Sequence, residues 1–199
     1  MLVGYLEDVK SVLRLYELNS GSFVAKLSIP IGSISSTSSL RTSPELFFSF
    51  TSFTTPTTIY RADLSDISNI ALQVFRKSES GFNSDDFETR QVFYPSRDGT
   101  QIPMFIVSKK GLELNSQSPC ILTAYGSHGI IRKPRFSSSR GSWLSNYNGI
   151  YCVANIRGGG AYGQKRHYAG QRANKQTTYN DFIDAGDYLV NQKYTSKGL

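Results

Sequence analysis

The sequence contains few of the residue types that build metal sites and disulfide frameworks. Only two cysteines, Cys120 and Cys152, and two histidines, His128 and His167, occur among its 199 residues. Two cysteines in separate apolar runs are typical of reduced core thiols in a cytoplasmic protein. Neither histidine has a cysteine or a second histidine at ligand spacing, so the sequence predicts no metal site.

Long apolar runs are also missing. No stretch reaches the ~18 consecutive apolar residues that a membrane-spanning helix needs. Glu7 and Asp8 stand where a secretory signal would place its apolar segment. We therefore expect a cytoplasmic protein with no membrane partner. The 12 Tyr and 12 Phe within a hydrophobic content of 39% are enough for a folded core, which excludes a wholly disordered chain.

Acidic residues are scarce in the second half of the chain. Residues 101–199 hold 13 Lys and Arg against 4 Asp and Glu, whereas residues 1–100 hold 9 against 11. A basic half is typical of proteins that bind acidic ligands or nucleic acid, and it also fits a chain whose acidic complement lies elsewhere. Few stacking aromatics are interleaved with the basic cluster Arg132, Lys133, Arg135 and Arg140, so we expect no nucleic-acid partner.

The first half has the pattern of short antiparallel strands separated by turns. Strands are predicted over 11–17, 23–29, 45–51 and 58–63, and the Ser/Thr-rich stretch 33–43 receives no strand. Strands of this length and spacing suit a sandwich, a barrel or propeller blades, although the segment is too short to close any of them. The polar stretch 76–87 predicts a domain boundary.

The pattern changes after this boundary. A hairpin is predicted from strands at 89–94 and 102–107, because Asp98-Gly99 favours a tight turn. Two nearly continuous apolar runs, 120–124 and 150–156, predict strands covered on both faces, with a helix over 139–147 between them. The alternation of strands and helices indicates the start of an α/β fold.

A last helix is predicted from Thr178, which forms a box-like cap with Asp181. Its apolar residues recur at the helical period and are expected on the core face, with the acidic residues outside. The apolar set is Tyr179, Phe182, Ile183, Gly186, Leu189 and Val190, and the acidic set is Asp181, Asp184 and Asp187.

A glycine-rich segment, Gly158–Gly163, satisfies the G-x-G-x-x-G pattern after a buried strand. With Asp181 near the distance expected of a ribose-binding acid, it suggests a nucleotide-dependent oxidoreductase as one alternative. The pattern requires a helix that begins at the glycines and points at the pyrophosphate. Residues 164–171 have no apolar face for such a helix, so a structural glycine turn is favoured and no cofactor is predicted.

A second segment of interest, Tyr125-Gly126-Ser127-His128, follows the buried strand 120–124. It is a near miss for a nucleophile elbow, since no glycine in the chain has a serine two residues later. In an α/β-hydrolase the loop after the third strand contributes to the oxyanion hole, where a Tyr125 hydroxyl would donate. The alternative is a Tyr125 that is simply a buried aromatic. Ser127 and His128 are sequence neighbours, and adjacency is not expected to orient the imidazole onto the hydroxyl.

At these residues the chain resembles the prolyl oligopeptidase family of serine peptidases. The most specific stretches are Phe-Tyr-Pro-Ser-Arg-Asp-Gly-Thr at 93–100 and Ala-Asn-Ile-Arg-Gly-Gly-Gly at 154–160. Further matching stretches follow in one order along nearly the whole chain: 5–10, 50–53, 102–107, 173–176 and 194–196.

The resemblance implies the fold and the domains. Residues 1–82 are expected to be the C-terminal part of a β-propeller, formed by antiparallel strands of its last blades. Residues 83–199 are expected to be the N-terminal half of an α/β-hydrolase peptidase domain, incomplete here. In the family the two domains contact each other within one chain, and this contact is expected in the full-length protein.

The resemblance also implies the chemistry. The family hydrolyses short peptides on the carboxyl side of proline with a Ser, Asp and His triad, and all three residues are expected to lie beyond Leu199. Of the catalytic parts only the oxyanion-hole tyrosine corresponds to a residue here, Tyr125. The chain is therefore expected to be an inactive fragment of a serine endopeptidase that acts on short proline-containing peptides. A non-catalytic module of the same family, binding peptides or a partner protein, is the alternative.

The chain departs from the family pattern at the same loop. Tyr-Gly-Gly-Phe is usual there, and this chain has Ser127-His128 in place of Gly-Phe. The aromatic residue normally lines the proline pocket, so His128 is expected to contact substrate and to weaken strict proline specificity. The acid usual after the three glycines is Ala161. These changes indicate a divergent member.

Overall fold

The computed structural model describes residues 1–198, which divide into two compact units. The first unit contains residues 1–81 together with a short later segment, Lys133–Ser137. The second unit contains the remaining residues. Within the first unit, the Phe136 amide donates a hydrogen bond to Thr51 Oγ1 at 3.3 Å, which ties the short segment to the strand that carries Thr51.

The first unit is built from two antiparallel sheets whose strands follow one another in chain order. The first sheet contains β1 (Leu2–Glu7), β2 (Lys10–Tyr16) and β3 (Phe23–Lys26). The second contains β4 (Ser33–Ser39), β5 (Glu45–Thr51), β6 (Thr58–Asp63) and β7 (Leu72–Lys77). Consecutive antiparallel pairing of this kind needs only short turns between strands.

Alternation along the strands creates the core of the first unit. In β5, Leu46, Phe48 and Phe50 are buried while their neighbours are only half-buried, as a period of two requires. These side chains pack with Leu13 and Leu15 of β2. The predicted bounds of β5 and β6 are confirmed.

Two predictions in this unit differ from the structure. The strand predicted over 23–29 ends at Lys26, and the prediction of no strand over 33–43 is wrong. The Ser/Thr-rich residues 33–39 form β4, which pairs with β5 from Ser33 opposite Thr51 to Ser39 opposite Leu46. Only Ser33 of this strand is buried, so its sequence carries no apolar alternation. The strand exists because the backbone groups of β5 need partners on this side.

The second unit is a mixed sheet with helices. Its strands are β8 (Phe87–Pro95), β9 (Gln101–Lys109), β10 (Cys120–Thr123) and β11 (Ile150–Ala154). They lie in the order β10-β11-β9-β8, with β10 and β11 parallel and the other pairs antiparallel. The β8–β9 hairpin turns at Gly99, whose φ of +82° suits glycine.

Three α-helices accompany this sheet over the described residues: α1 (Ser138–Asn146), α2 (Gly163–Tyr168) and α3 (Lys175–Asn191). The long helix differs from the prediction at its start and on its faces. Asn174 is its N-cap residue, so Thr178 lies within the helix and does not cap it. The buried face consists of Thr178, Asp181, Ala185 and Leu189, whereas Tyr179 and Ile183 of the predicted core face are about half exposed.

The core of the second unit lies between α3 and the sheet. Met104, Ile106, Ile150 and Ala185 are members of one buried cluster, and Leu189 completes its helical side. The two cysteines are free thiols, with their sulfur atoms 3.7 Å apart on neighbouring strands. Burial raises the pKa of the Cys152 thiol well above its usual value. Over the described part of the chain, the helices are too short or too polar to cross a membrane.

Candidate functional site

The candidate site forms where β10 ends. Tyr125 comes two residues after the last residue of β10 and is 44% exposed, so it is not a buried core aromatic. The chain then turns sharply, because Gly126 and His128 both have positive φ, at +61° and +50°. A Cβ on Gly126 would lie less than 3.0 Å from Thr178 and Ile156 side-chain atoms. Only glycine therefore fits at the residue that follows Tyr125.

His128 lies beside Tyr125 on the same turn. The two ring centroids are 6.3 Å apart. Ser127 Oγ lies 2.9 Å from His128 Nδ1, so the expectation that sequence neighbours would not bring hydroxyl and imidazole together is wrong. A triad also needs a carboxylate on the imidazole, and the residues described here place none within hydrogen-bonding distance of His128.

The glycine-rich segment packs directly against this turn. Cβ atoms added at Gly158 and Gly160 would lie less than 3.0 Å from the carbonyl oxygens of Gly126 and Gly129. The Gly129 amide donates to the Gly158 carbonyl at 3.4 Å. Loop backbone thus fills the space beside these glycines that a pyrophosphate would occupy in a dinucleotide site. The helix that follows, α2, has six residues.

The start of α3 holds both loops. Lys175 Nζ donates to the Gly126 carbonyl at 2.7 Å. Thr178 Oγ1 lies 2.9 Å from the Arg157 carbonyl and 2.8 Å from the Gly170 carbonyl. The hydroxyl carries one proton, so it donates to one of these two carbonyls or shares the proton between them. Thr178 therefore contacts backbone on both sides of the glycine loop, the glycine-rich segment Gly158–Gly163.

A buried ion pair fixes the residue that precedes the glycine loop. Asp181 is fully buried and accepts hydrogen bonds from the Arg157 amide, at 2.9 Å, and from Arg157 Nη2, at 2.6 Å. The prediction that Asp181 lies on the exposed face of the helix is wrong. Its carboxylate is buried and forms an ion pair with Arg157. A buried guanidinium requires such a partner because an unpaired charge in the interior is costly.

The same guanidinium reaches the β8–β9 turn. Arg157 Nη1 donates to Asp98 Oδ2 at 2.5 Å and to Thr100 Oγ1 at 3.1 Å. The hydrogen bond from Arg157 holds the pKa of Asp98 well below its ordinary value. Ser96 Oγ donates to Asp181 Oδ1 at 2.7 Å. Arg157 thus joins the hairpin, the glycine loop and α3.

A second pair lies beside the first and is more exposed. Arg97 donates to Asp184 from its backbone amide, at 2.7 Å, and from Nη2, at 2.9 Å. Burial acts to raise the pKa of Asp184, but the hydrogen bonds from Arg97 and Ser96 outweigh it, and the pKa lies below its usual value. Asp184 is half-buried and not outside the fold as predicted.

Sequence reasoning missed the Arg157 network, although a signal was present. Arg157 directly follows the apolar run that forms β11, a position that is buried in an α/β sheet. A charge at such a position predicts an opposite charge nearby in space. Sequence spacing alone could not identify the partner, since Asp98 and Asp181 come from distant parts of the chain.

The fold and these loops define a class. A mixed sheet in this order, with glycine turns at the ends of its parallel strands, is part of an α/β-hydrolase domain, and the antiparallel sheets that precede it are of the β-propeller type. Two family models match the chain. The prolyl oligopeptidase N-terminal β-propeller domain matches residues 1–73, and the prolyl oligopeptidase family model matches residues 134–198. The chain belongs to the prolyl oligopeptidase family.

Individual relatives show the same similarity at higher coverage. The chain is 40% identical over 194 residues to a prolyl endopeptidase of Elizabethkingia miricola, covering 97% of this chain. It is 37% identical over 195 residues to a dual function macrocyclase-peptidase of Amanita bisporigera, covering 98%. The chain spans about 27% of the length of these curated relatives.

Solved structures agree with the sequence relatives. Prolyl oligopeptidase B from Galerina marginata, without ligand, superposes with a TM-score of 0.88 at 33% identity, over 98% of this chain and 28% of that one. The same protein bound to a 35mer hydrolysis and macrocyclization substrate superposes with a TM-score of 0.86, over 99% of this chain and 28% of that one.

Proposed function

We propose that this chain supplies the oxyanion-binding tyrosine of a prolyl oligopeptidase-type serine endopeptidase. The observation that carries the proposal is the exposed Tyr125 at the end of β10, on a turn that only Gly126 can complete. A phenol that is not packed into the core can donate to an oxyanion forming in front of the sheet. Donors fixed before the reaction stabilise that charge more than mobile ones do.

The substrates proposed are short peptides cut on the carboxyl side of proline, as in the family. The His128 imidazole stands in the turn beside Tyr125, and we assign it to the wall that contacts the substrate. An imidazole is smaller and more polar than a phenyl ring, so it buries less of a proline ring. Preference for proline should therefore be weaker than in relatives with phenylalanine at this position.

We assign residues 1–82 to a propeller domain and residues 83–199 to the peptidase domain, with contact between the two in the full-length protein. The 199 residues are proposed to be inactive alone, because the serine–histidine pair within them, Ser127 and His128, has no carboxylate partner over the described chain. A cytoplasmic location is also proposed, on the basis of the two free thiols.

A chimera tests the catalytic role of Tyr125. The chain replaces the matching segment of the Elizabethkingia miricola prolyl endopeptidase, and hydrolysis of a proline-containing chromogenic peptide is followed. Tyr125→Phe should lower kcat by roughly 10²-fold, as the loss of one oxyanion donor does. Tyr147→Phe, which removes an exposed hydroxyl outside this site, is the matched control. Equal kcat in the two variants would refute the role of Tyr125.

Two further measurements test the remaining parts. His128→Phe in the chimera should raise the ratio of kcat/KM for proline over alanine substrates; an unchanged ratio would exclude His128 from the pocket wall.

The purified 199-residue chain should not hydrolyse the peptide. Hydrolysis that a serine-directed inhibitor blocks would show that the chain is active alone.

A further inference from the structure

We propose that Lys175 is a positioning residue for Tyr125, acting through the carbonyl of Gly126. The functional meaning of this inference rests on the proposed role of Tyr125, while its structural content does not. Lys175 is the first residue of α3, and its Nζ lies 2.7 Å from Gly126 O. Gly126 is the residue that directly follows Tyr125.

Lys175 lies at a position where a positive charge is unfavourable for the helix. The N-terminus of a helix has a partial positive charge, so a cation in the first turn is disfavoured and an acid is favoured. The first turn of α3 holds no acid. Within the helix, Lys175 Nζ lies 3.5 Å from Thr178 Oγ1 and 5.8 Å from the centre of the Tyr179 ring. Its shortest contact is with the carbonyl of Gly126, outside the helix.

The Gly126 carbonyl depends on this contact. Gly126 is buried, and within the described part of the chain Lys175 Nζ is its carbonyl's hydrogen-bond donor. A buried carbonyl that loses its partner is left without a replacement for the hydrogen bonds that water would make, which is unfavourable. The Gly158 backbone also approaches this carbonyl, so closely that a Cβ at Gly158 would overlap its oxygen. Lysine and glycine loop together therefore fix the orientation of the peptide that follows Gly126.

The orientation of Tyr125 depends on this peptide. The ring is 44% exposed, and its ring neighbour among the described residues is His128 of the same turn, at a centroid distance of 6.3 Å. The core therefore does not enclose the ring, and the backbone of the turn contributes to its direction. Gly126 has the left-handed φ of +61° that this turn needs, and the bond from Lys175 holds the carbonyl on the other side of its Cα.

The test follows Tyr125 directly, in the 199-residue chain at low micromolar concentration. A single 3-fluorotyrosine is placed at position 125, and its ¹⁹F resonance is recorded together with hydrogen exchange of residues 126–130. Lys175→Met should shift or broaden the resonance and accelerate exchange at least tenfold. Lys175→Arg, which keeps a charged donor, should restore both. Lys165→Met removes an exposed lysine of α2 and should change neither.

Hydrogen exchange of β9 distinguishes a local effect from general unfolding. β9 is a mostly buried strand, and it lies outside the turn at residues 126–130. An unchanged resonance in Lys175→Met, or acceleration of β9 equal to that of residues 126–130, would overturn the proposal. Failure of arginine to restore the resonance would do so as well. None of these readouts involves turnover, so a catalytically silent Tyr125→Phe in the chimera would refute the proposed function and leave the positioning role of Lys175 standing.

Discussion

Arg157 and Asp181 show how one buried pair determines the arrangement of several segments. Both side chains are almost fully buried, and Arg157 also bonds Asp98 at the β8–β9 turn. A buried pair adds little net stability over a well-packed apolar pair, because both charges lose their hydration. Its effect is specific: the hairpin, the glycine loop and α3 must meet for the charges to be satisfied.

Asp181→Asn should therefore be strongly destabilising. The amide places an NH₂ group against Arg157 donors and leaves the buried cation without its full counter-charge, which typically costs about 3–5 kcal/mol. Urea unfolding monitored by circular dichroism measures the loss. Asp187→Asn changes an exposed acid of the same helix and should stay within about 0.5 kcal/mol of the unchanged chain. Equal losses in the two variants would contradict this account.

Asp98 predicts an acid-dependent loss of stability. Its pKa is depressed in the folded state by Arg157, so its contribution is present above the unfolded pKa of about 3.9 and is lost as pH falls toward the folded value. The thermal midpoint of unfolding should therefore decrease as the pH is lowered below about 4, and the decrease should be less steep in Asp98→Asn. Because the Asp98 side chain is half exposed, added salt should reduce the difference. Glu113→Gln is the control, and an Asp98→Asn profile parallel to that of the unchanged chain would exclude this contribution.

At the scale of elements, the glycine loop and the turn after β10 approach each other more closely than side chains allow. Gly158 illustrates both demands on glycine, since its φ is +93° and an added Cβ would overlap Gly126 O. Gly163 has a similar φ of +76° but open space around it. The two positions therefore separate the cost of backbone strain from the cost of a steric clash.

Gly163→Ala should cost about 1 kcal/mol, because alanine disfavours the left-handed region. Gly158→Ala should cost clearly more, since backbone must also move. Unfolding free energies of the two variants give the comparison, and hydrogen exchange of residues 126–130 should accelerate only in Gly158→Ala. Similar losses in both would show that the close packing of the two loops contributes nothing.

The elements also show where sequence patterns succeed and fail. The bounds of β5 are predictable because one face of the strand is buried, so that buried residues recur there at every second position. β4 is not, because Ser33–Ser39 is held by backbone pairing with β5. α3 was assigned the wrong face because Asp181 and Thr178 are buried by specific partners, and hydrophobicity cannot reveal partners. In the site, the sequence predicts that Tyr125 follows a buried strand, whereas its exposure and the contacts of Lys175 and Arg157 depend on the fold.

At the scale of the whole molecule, apolar side chains remain on the surface. On the outer face of α3, Tyr179 is 55% and Ile183 is 51% exposed, and Phe182 lies between them. The edge of the sheet at β10 also has no neighbouring strand among the described residues. Exposed apolar helices and open edges promote association.

The 199-residue chain should therefore self-associate as its concentration rises through the micromolar range. Ile183→Lys places a charge in the exposed patch and should shift association to higher concentration. Gln176→Lys adds the same charge at a polar, exposed position of α3 and should have little effect. Sedimentation velocity distinguishes them. A monomer at all concentrations, or equal effects of both variants, would show that this face does not drive association.

The strand order of the second unit also has a consequence for timing during synthesis. β10 pairs with β11, which begins at Ile150, roughly 30 residues after Cys120, and inserts between β10 and β9. At ribosomal rates of about 5–20 residues per second, this interval is roughly 2–6 seconds. The β8–β9 hairpin can form at once, but β10 emerges without its native neighbour. A nascent chain thus passes through a stage of seconds in which the apolar strand that leads to Tyr125 is open to chaperones.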